Sequence, residues 1–157
     1  MIIKGITDED FVNYKVPSMF IASATCSFKC DKEYGSPVCQ NSPLANQPDI
    51  EVSMIGLVER YQNNPITKAI VFGGLEPLDD DDTMVLIGLL RSVGVMDDVV
   101  IYTGYTREEA AHWVYYLQQF PNVIVKYGRY IPGQQPHLDP VLGVMLASDN
   151  QYAERIS

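Results

Sequence analysis

Four short apolar runs constrain the fold of this chain more than any other feature. They are Met19–Ala24 (MFIASA), Lys68–Phe72 (KAIVF), Val99–Thr103 (VVIYT) and Val123–Lys126 (VIVK). Each is too short for a helix and lacks polar alternation, as buried strands of a parallel sheet do. Helical spacing fills the gaps. Met54, Ile55, Val58 and Tyr61 fall on one face of a helix predicted over Glu51–Tyr61 and ended by Asn63-Asn64-Pro65. Asp79 to Asp82 precede Met84, Val85, Leu86, Ile87, Leu89 and Leu90. Carboxylates there cap a helix N-terminus and complement its dipole, which makes a metal site the weaker reading of the same residues. Gly94 closes that helix. Thr106 is the expected N-cap of the next, with Glu108 and Glu109 in its first turn and an end near Phe120. Strands alternating with helices predict βαβ units. At 157 residues the chain is one domain, residues 1–157, and too short for a closed eight-fold barrel of about 250 residues. The expectation is an α/β fold with a mostly parallel, curved, open sheet: a partial (β/α) barrel.

Three of the predicted strand ends carry chemistry. The first runs into Cys26, Cys30 and Cys39, the only cysteines of the chain. The second runs into Gly73-Gly74-Leu75-Glu76-Pro77, and the third into Thr103-Gly104-Tyr105. Ligands of parallel α/β folds bind beyond the carboxyl ends of the strands, so the three segments are expected on one rim. Lys32 to Asp49, rich in Pro, Asn, Gln, Gly and Ser, reads as an irregular loop.

An odd number of cysteines cannot all pair as internal disulfides, and their confinement to one loop suggests action on one object. A cubane cluster is normally held by four thiolates, so three would leave one iron open. A structural zinc site takes four Cys or His ligands. His112, inside a helix, and His137, in a late loop, lack the spacing of a zinc module. On the residues alone, an iron–sulfur cluster, a zinc ion and three uncoordinated thiols all stay open. Gly73 and Gly74 serve either a tight turn or a backbone that approaches a ligand closely. Glu76 is placed to bond a ligand ammonium. Thr103 offers a hydroxyl to the same pocket or belongs to an ordinary strand-to-helix turn. His112, Trp113, Tyr115 and Tyr116 pack on or decorate a helix, and Arg129 meets a partner protein or a carboxylate.

A net charge of −9, a pI near 4.5 and eleven scattered Lys and Arg residues argue against nucleic acid as a partner. No segment reaches the roughly 18 uninterrupted apolar residues of a membrane span. The stretch Met-Ile-Ile-Lys-Gly-Ile-Thr-Asp lacks the apolar core and cleavage site of a secretory signal. A cytoplasmic location, where thiols stay reduced and available to metal, is expected.

The motifs also carry a resemblance, collinear over nearly the whole chain. C-SFK-C followed by Cys39 and Asn41 resembles the cluster loop of the radical S-adenosylmethionine (SAM) superfamily. Gly73-Gly74-Leu75-Glu76-Pro77 resembles its Gly-Gly-acidic-Pro motif. Thr103-Gly104-Tyr105 with Glu108 and Glu109, Gly128-Arg129-Tyr130 and Ser148-Asp149-Asn150-Gln151 resemble a T-G-Y-x-x-E-E segment, a G-[KR]-F element and a terminal S-x-N-Q. Taken together they are most similar to the activating-protein family of anaerobic ribonucleoside-triphosphate reductase. The chain departs from the usual C-x3-C-x2-C in having eight residues between Cys30 and Cys39, has Val38 where an aromatic residue often precedes the third cysteine, and inserts Leu75 into the glycine motif.

The resemblance implies a partial barrel of radical SAM type. It implies a [4Fe-4S] cluster on Cys26, Cys30 and Cys39, with SAM bound to the open iron through its methionyl amine and carboxylate. Val38, Gly73, Gly74, Glu76 and Thr103 would line the cofactor pocket. The implied activity is that of an anaerobic, cytoplasmic oxidoreductase in which a deoxyadenosyl radical abstracts a glycine Cα hydrogen, so the radical arises on the cofactor and not on a catalytic side chain. Implied partners are the large subunit of the reductase and an electron donor such as flavodoxin. The alternatives are a radical SAM enzyme acting on another glycyl-radical protein, a peptide or a small molecule, and a non-catalytic iron–sulfur or zinc-binding module.

Overall fold

The computed structural model describes residues 1–157. In chain order the elements are β1 (Ile2–Asp10), β2 (Ser18–Ser23), α1 (Lys29–Tyr34), β3 (Ile50–Glu51), α2 (Met54–Gln62) and β4 (Ala69–Gly74). There follow α3 (Asp81–Ser92), β5 (Asp98–Tyr102), α4 (Ala111–Leu117), β6 (Val123–Tyr127), β7 (His137–Asp139), β8 (Val144–Leu146) and β9 (Tyr152–Arg155). Seven strands form one sheet in the order β3-β1-β2-β4-β5-β6-β9, while β7 and β8 pair separately. No helix is long and apolar enough to cross a membrane.

The four apolar runs form the middle of the sheet, where β2, β4, β5 and β6 lie parallel. The mostly parallel partial barrel of radical SAM type does not form. The sheet is mixed: of seven strand pairings in the molecule three are parallel and four antiparallel. Only four α-helices are present, and α1 and α4 have six and seven residues. Connection length explains the difference. A parallel return needs a crossover of a dozen or more residues, but only Phe11–Pro17 join β1 to β2, so β1 comes back antiparallel. Beyond β6 no helix forms. The chain makes the β7–β8 hairpin instead, and β9 returns antiparallel along β6.

Helices α2, α3 and α4 sit on one face of the sheet. Leu57, Val58 and Tyr61 of α2, Leu86, Ile87 and Leu90 of α3, and Val114 and Leu117 of α4 pack with Met19, Ile21, Ile70, Phe72, Val99, Ile101, Val123 and Val125. The intervening strand residues, Ala69, Val71, Val100 and Ile124, face the other way, onto Tyr14, Leu142 and Leu146. The other face, helix-free over these strand residues, is roofed there by the β1–β2 connection and the hairpin. Toward the carboxyl ends of the strands that roof stops, and a cavity opens.

The helix expected over Glu51–Tyr61 begins only at Met54, because Glu51 pairs in β3, and the one expected from Thr106 to Phe120 spans only Ala111–Leu117. Ser53 caps α2 by accepting the Gly56 N–H, and Asp80 caps α3 by accepting the Asp82 N–H. Gly94, at φ +83°, turns the chain out of α3. Thr106 and Glu109 form the reciprocal bonds of a capping box, at 2.9 and 3.2 Å, though a turn intervenes before α4 begins at Ala111.

Candidate functional site

The cavity, about 640 Å³, lies at the carboxyl ends of β2, β4 and β5 on the helix-free face. Cys26, Cys30 and Cys39, Gly73, Gly74 and Glu76, and Thr103, Gly104 and Tyr105 all line it. The three segments expected on one rim do meet there. Val38 does not line the cavity; its N–H instead donates to Asp31 Oδ1 at 2.9 Å.

Local chemistry shapes the cysteine loop. Phe28, at φ +51°, bends the chain so that its N–H donates to Cys26 Sγ at 3.2 Å. Asp79 Oδ2 accepts the Ser27 N–H at 3.1 Å, and its other oxygen accepts the Tyr105 hydroxyl at 2.5 Å. Asp31 Oδ1 accepts the N–H groups of both Val38 and Cys39, each at 2.9 Å. This carboxylate closes the long Cys30–Cys39 excursion and returns Cys39 to the cavity. A helical turn at Ser42–Asn46 follows, and Lys4 anchors what comes after it. Lys4 is the extra residue of a β-bulge between the pairs Ile3–Ser23 and Gly5–Ala22. Its Nζ donates to the carbonyls of Ala45 and Gln47 and pairs with Asp49 at 2.8 Å.

Burial raises the Cys26 thiol, and burial with the neighbouring Cys39 thiol pushes Cys30 up to about 12. The three thiols share one wall of the cavity, but no three His, Cys, Asp or Glu side chains anywhere in the chain are arranged as a group that could hold a metal ion. As a donor set they are all thiol, the ligand type of iron–sulfur clusters and of zinc.

The glycine motif is tightly built. A Cβ on Gly73 would lie 3.0 Å from the Phe20 ring, and one on Gly74 would lie 3.1 and 3.2 Å from Cβ and Cα of Ala22. Gly74 also has φ +79°. Gly74 is thus required by the closeness of β2, whatever the cavity holds, whereas a side chain at Gly73 would need the Phe20 ring to shift by a few tenths of an ångström. Glu76 is buried and joins two strand ends: Oε2 accepts the Gly104 N–H at 2.9 Å and Oε1 the Leu78 N–H at 3.2 Å. Burial pushes its carboxyl up to about 7, against the downward pull of the Thr103 hydroxyl and those two N–H groups. The Thr103 oxygen also accepts the Tyr105 N–H at 3.0 Å, so the turn and the pocket readings of this residue both describe it.

Lys126 was not visible as a site residue. It is buried at the end of β6, lines the cavity, and donates to the Gly128 carbonyl at 2.8 Å. Burial pulls it down to about 8, partly offset by the charge of Glu76. The one signal was a lysine closing an otherwise apolar strand. Gln151 braces the same carbonyl, donating from Nε2 at 3.1 Å, while Asn150 Nδ2 donates to the Arg129 carbonyl at 2.9 Å. The Asn150-Gln151 segment thus supports Gly128-Arg129. His112 lies on α4 against the rings of Trp113 and Tyr116 and does not line the cavity. Asp80, Asp81 and Asp82 belong to the start of α3.

No protein-family model, curated protein or solved structure matches this chain.

Proposed function

We propose that this chain is a radical SAM oxidoreductase that activates an anaerobic ribonucleoside-triphosphate reductase by installing a glycyl radical. Cys26, Cys30 and Cys39, which as they stand form no metal-binding group, would draw together to hold a [4Fe-4S] cluster, and the adjoining cavity would hold SAM. One observation carries the reading: all three cysteines and both other strand-end motifs line a single cavity. Its charges support it. Glu76 and Lys126, an acid and a base, are both buried there, and neither is in an ion pair. A ligand bearing both an ammonium and a carboxylate complements such a floor.

The chemistry that the cluster and SAM would supply here is a carbon-centred radical, from one-electron reductive cleavage of the sulfonium. The chain's own residues orient and shield. Glu76, with two of its lone pairs taken by N–H groups, keeps others for an ammonium. Lys126 would face a ligand carboxylate. Leu146 of the hairpin wall excludes water on one side. A protein substrate would complete the site. The electron donor, a flavodoxin or similar, and a cytoplasmic location belong to the same proposal.

Anaerobic reconstitution followed by dithionite and SAM tests it. Methionine and 5′-deoxyadenosine are the expected products. With the matched reductase, a glycyl-radical EPR doublet should appear, and deuterium from that glycine's Cα should pass into 5′-deoxyadenosine. Cleavage without reductase radical or label transfer would move the assignment to another substrate. No iron uptake and no cleavage would overturn it.

A further inference from the structure

Helix α1 carries Cys30 yet buries none of its residues, so apolar packing does not fix its place. Its hold on the sheet is polar and runs through Arg129, just after β6. The guanidinium donates through both terminal nitrogens to Glu109, each at 2.8 Å. Its Nε lies 3.3 Å from Glu33, near the end of α1. Glu109 is held by the Thr106 capping box and reaches Lys29, the first residue of α1, at 3.5 Å. The pair Arg129–Glu109 therefore touches both ends of the helix. The Arg129 side chain is only 12% exposed, and a two-pronged guanidinium–carboxylate pair of this kind is among the stronger polar contacts. The guanidinium also holds the Glu109 carboxyl down near 2, so the clasp stays charged over the ordinary pH range.

We propose that Arg129 is a positioning residue for the cysteine loop: by holding Glu109 and Glu33 together it fixes α1, and with it the Cys30 thiol, at the cavity wall. Its role toward a cluster rests on the function proposed above; its role in ordering the loop does not.

Hydrogen exchange on the full-length, metal-free chain reads the clasp directly. The amides of Lys32, Gly35, Val38 and Cys39 are all bonded within the loop. Arg129→Met should speed exchange over residues 28–39 about tenfold, as loss of a two-pronged ion pair does, and leave β4, β5 and β6 unchanged. Arg129→Lys, which keeps the charge but not the fork, should restore most of the protection. Unchanged exchange over residues 28–39 in Arg129→Met overturns the proposal. If exchange instead rises everywhere, Glu33→Gln decides, because Glu33 is exposed and its loss spares the fold. A rise of about twofold confined to the loop supports the clasp, and no rise overturns it. Iron bound after anaerobic reconstitution is the second readout. It should fall in Arg129→Met and recover in Arg129→Lys, whereas equal iron in all three chains overturns the role toward ligands. Failure of the unaltered chain to bind iron counts against the proposed function and leaves the exchange result to judge the clasp.

Discussion

Replacing Glu76 by Gln tests the electrostatics of the cavity floor. In the folded chain burial raises this carboxyl from its ordinary 4.5 to about 7. A carboxyl raised on folding binds more protons in the folded than in the unfolded state across that interval. The unaltered chain therefore loses stability as pH climbs from 4.5 through 7, and the loss persists above 7. At 1.36 kcal/mol per pH unit the full effect is about 3 kcal/mol, most of which accrues between pH 5 and pH 8. Gln stays neutral and escapes that loss. It presents one oxygen where Glu76 presents two, so the Leu78 or the Gly104 N–H loses its acceptor, at about 1–3 kcal/mol irrespective of pH. Glu76→Gln should thus be the less stable chain at pH 5, with the gap closing or reversing by pH 8. Urea unfolding at a series of pH values measures this, followed by circular dichroism and by fluorescence of Trp113, the one tryptophan, which stacks on Tyr105 at 5.3 Å. A stability difference constant to within about 0.5 kcal/mol over that range would refute the reasoning.

Gly74→Ala should cost about 1–3 kcal/mol in urea unfolding, from positive φ and the approach of Ala22, and an unshifted midpoint would show that β2 leaves room there. Asp31→Ala should release the Val38 and Cys39 N–H groups, speed their exchange and lower iron uptake. Asp31→Asn, which retains an acceptor, should restore both, and equal behaviour of the two variants would deny Asp31 its closing role. Cys39→Ala should abolish SAM cleavage by the reconstituted protein; normal cleavage would remove Cys39 from the ligand set.

The parallel centre was legible because β4, β5 and β6 are buried on both faces and read as unbroken apolar runs. The edges were not. In β1 the residues Lys4, Gly5, Thr7, Asp8 and Asp10 hide the pattern, since the bulge at Lys4 breaks alternation and much of the strand faces solvent or cavity. Strands β7 and β8 have three residues each, below any periodic signal. The same double burial that exposed β6 concealed Lys126, because Val-Ile-Val shows no polar face from which to infer where the lysine points. The gathering of the cysteine, glycine and threonine segments was legible from strand ends alone. The bonds that hold them were not: Asp79 sat among four consecutive aspartates, of which Asp80 caps α3, while Asp79 spans 52 residues to Ser27. Arg129 was expected to meet a carboxylate or a partner, and it meets Glu109 and Glu33.

The one-sided placement of the helices gives the cavity two boundaries of different origin. Its floor is the sheet itself, whose residues are committed on their reverse side to α2, α3 and α4. Its outer wall, from the hairpin, carries no such second commitment: Leu138 and Met145, cross-strand partners, are both turned outward. Changes on the floor must satisfy two neighbours at once, whereas changes on the wall satisfy one. The outward positions Leu138 and Met145 can therefore be exchanged, and the outer face of the wall retuned, without rebuilding the bed beneath it.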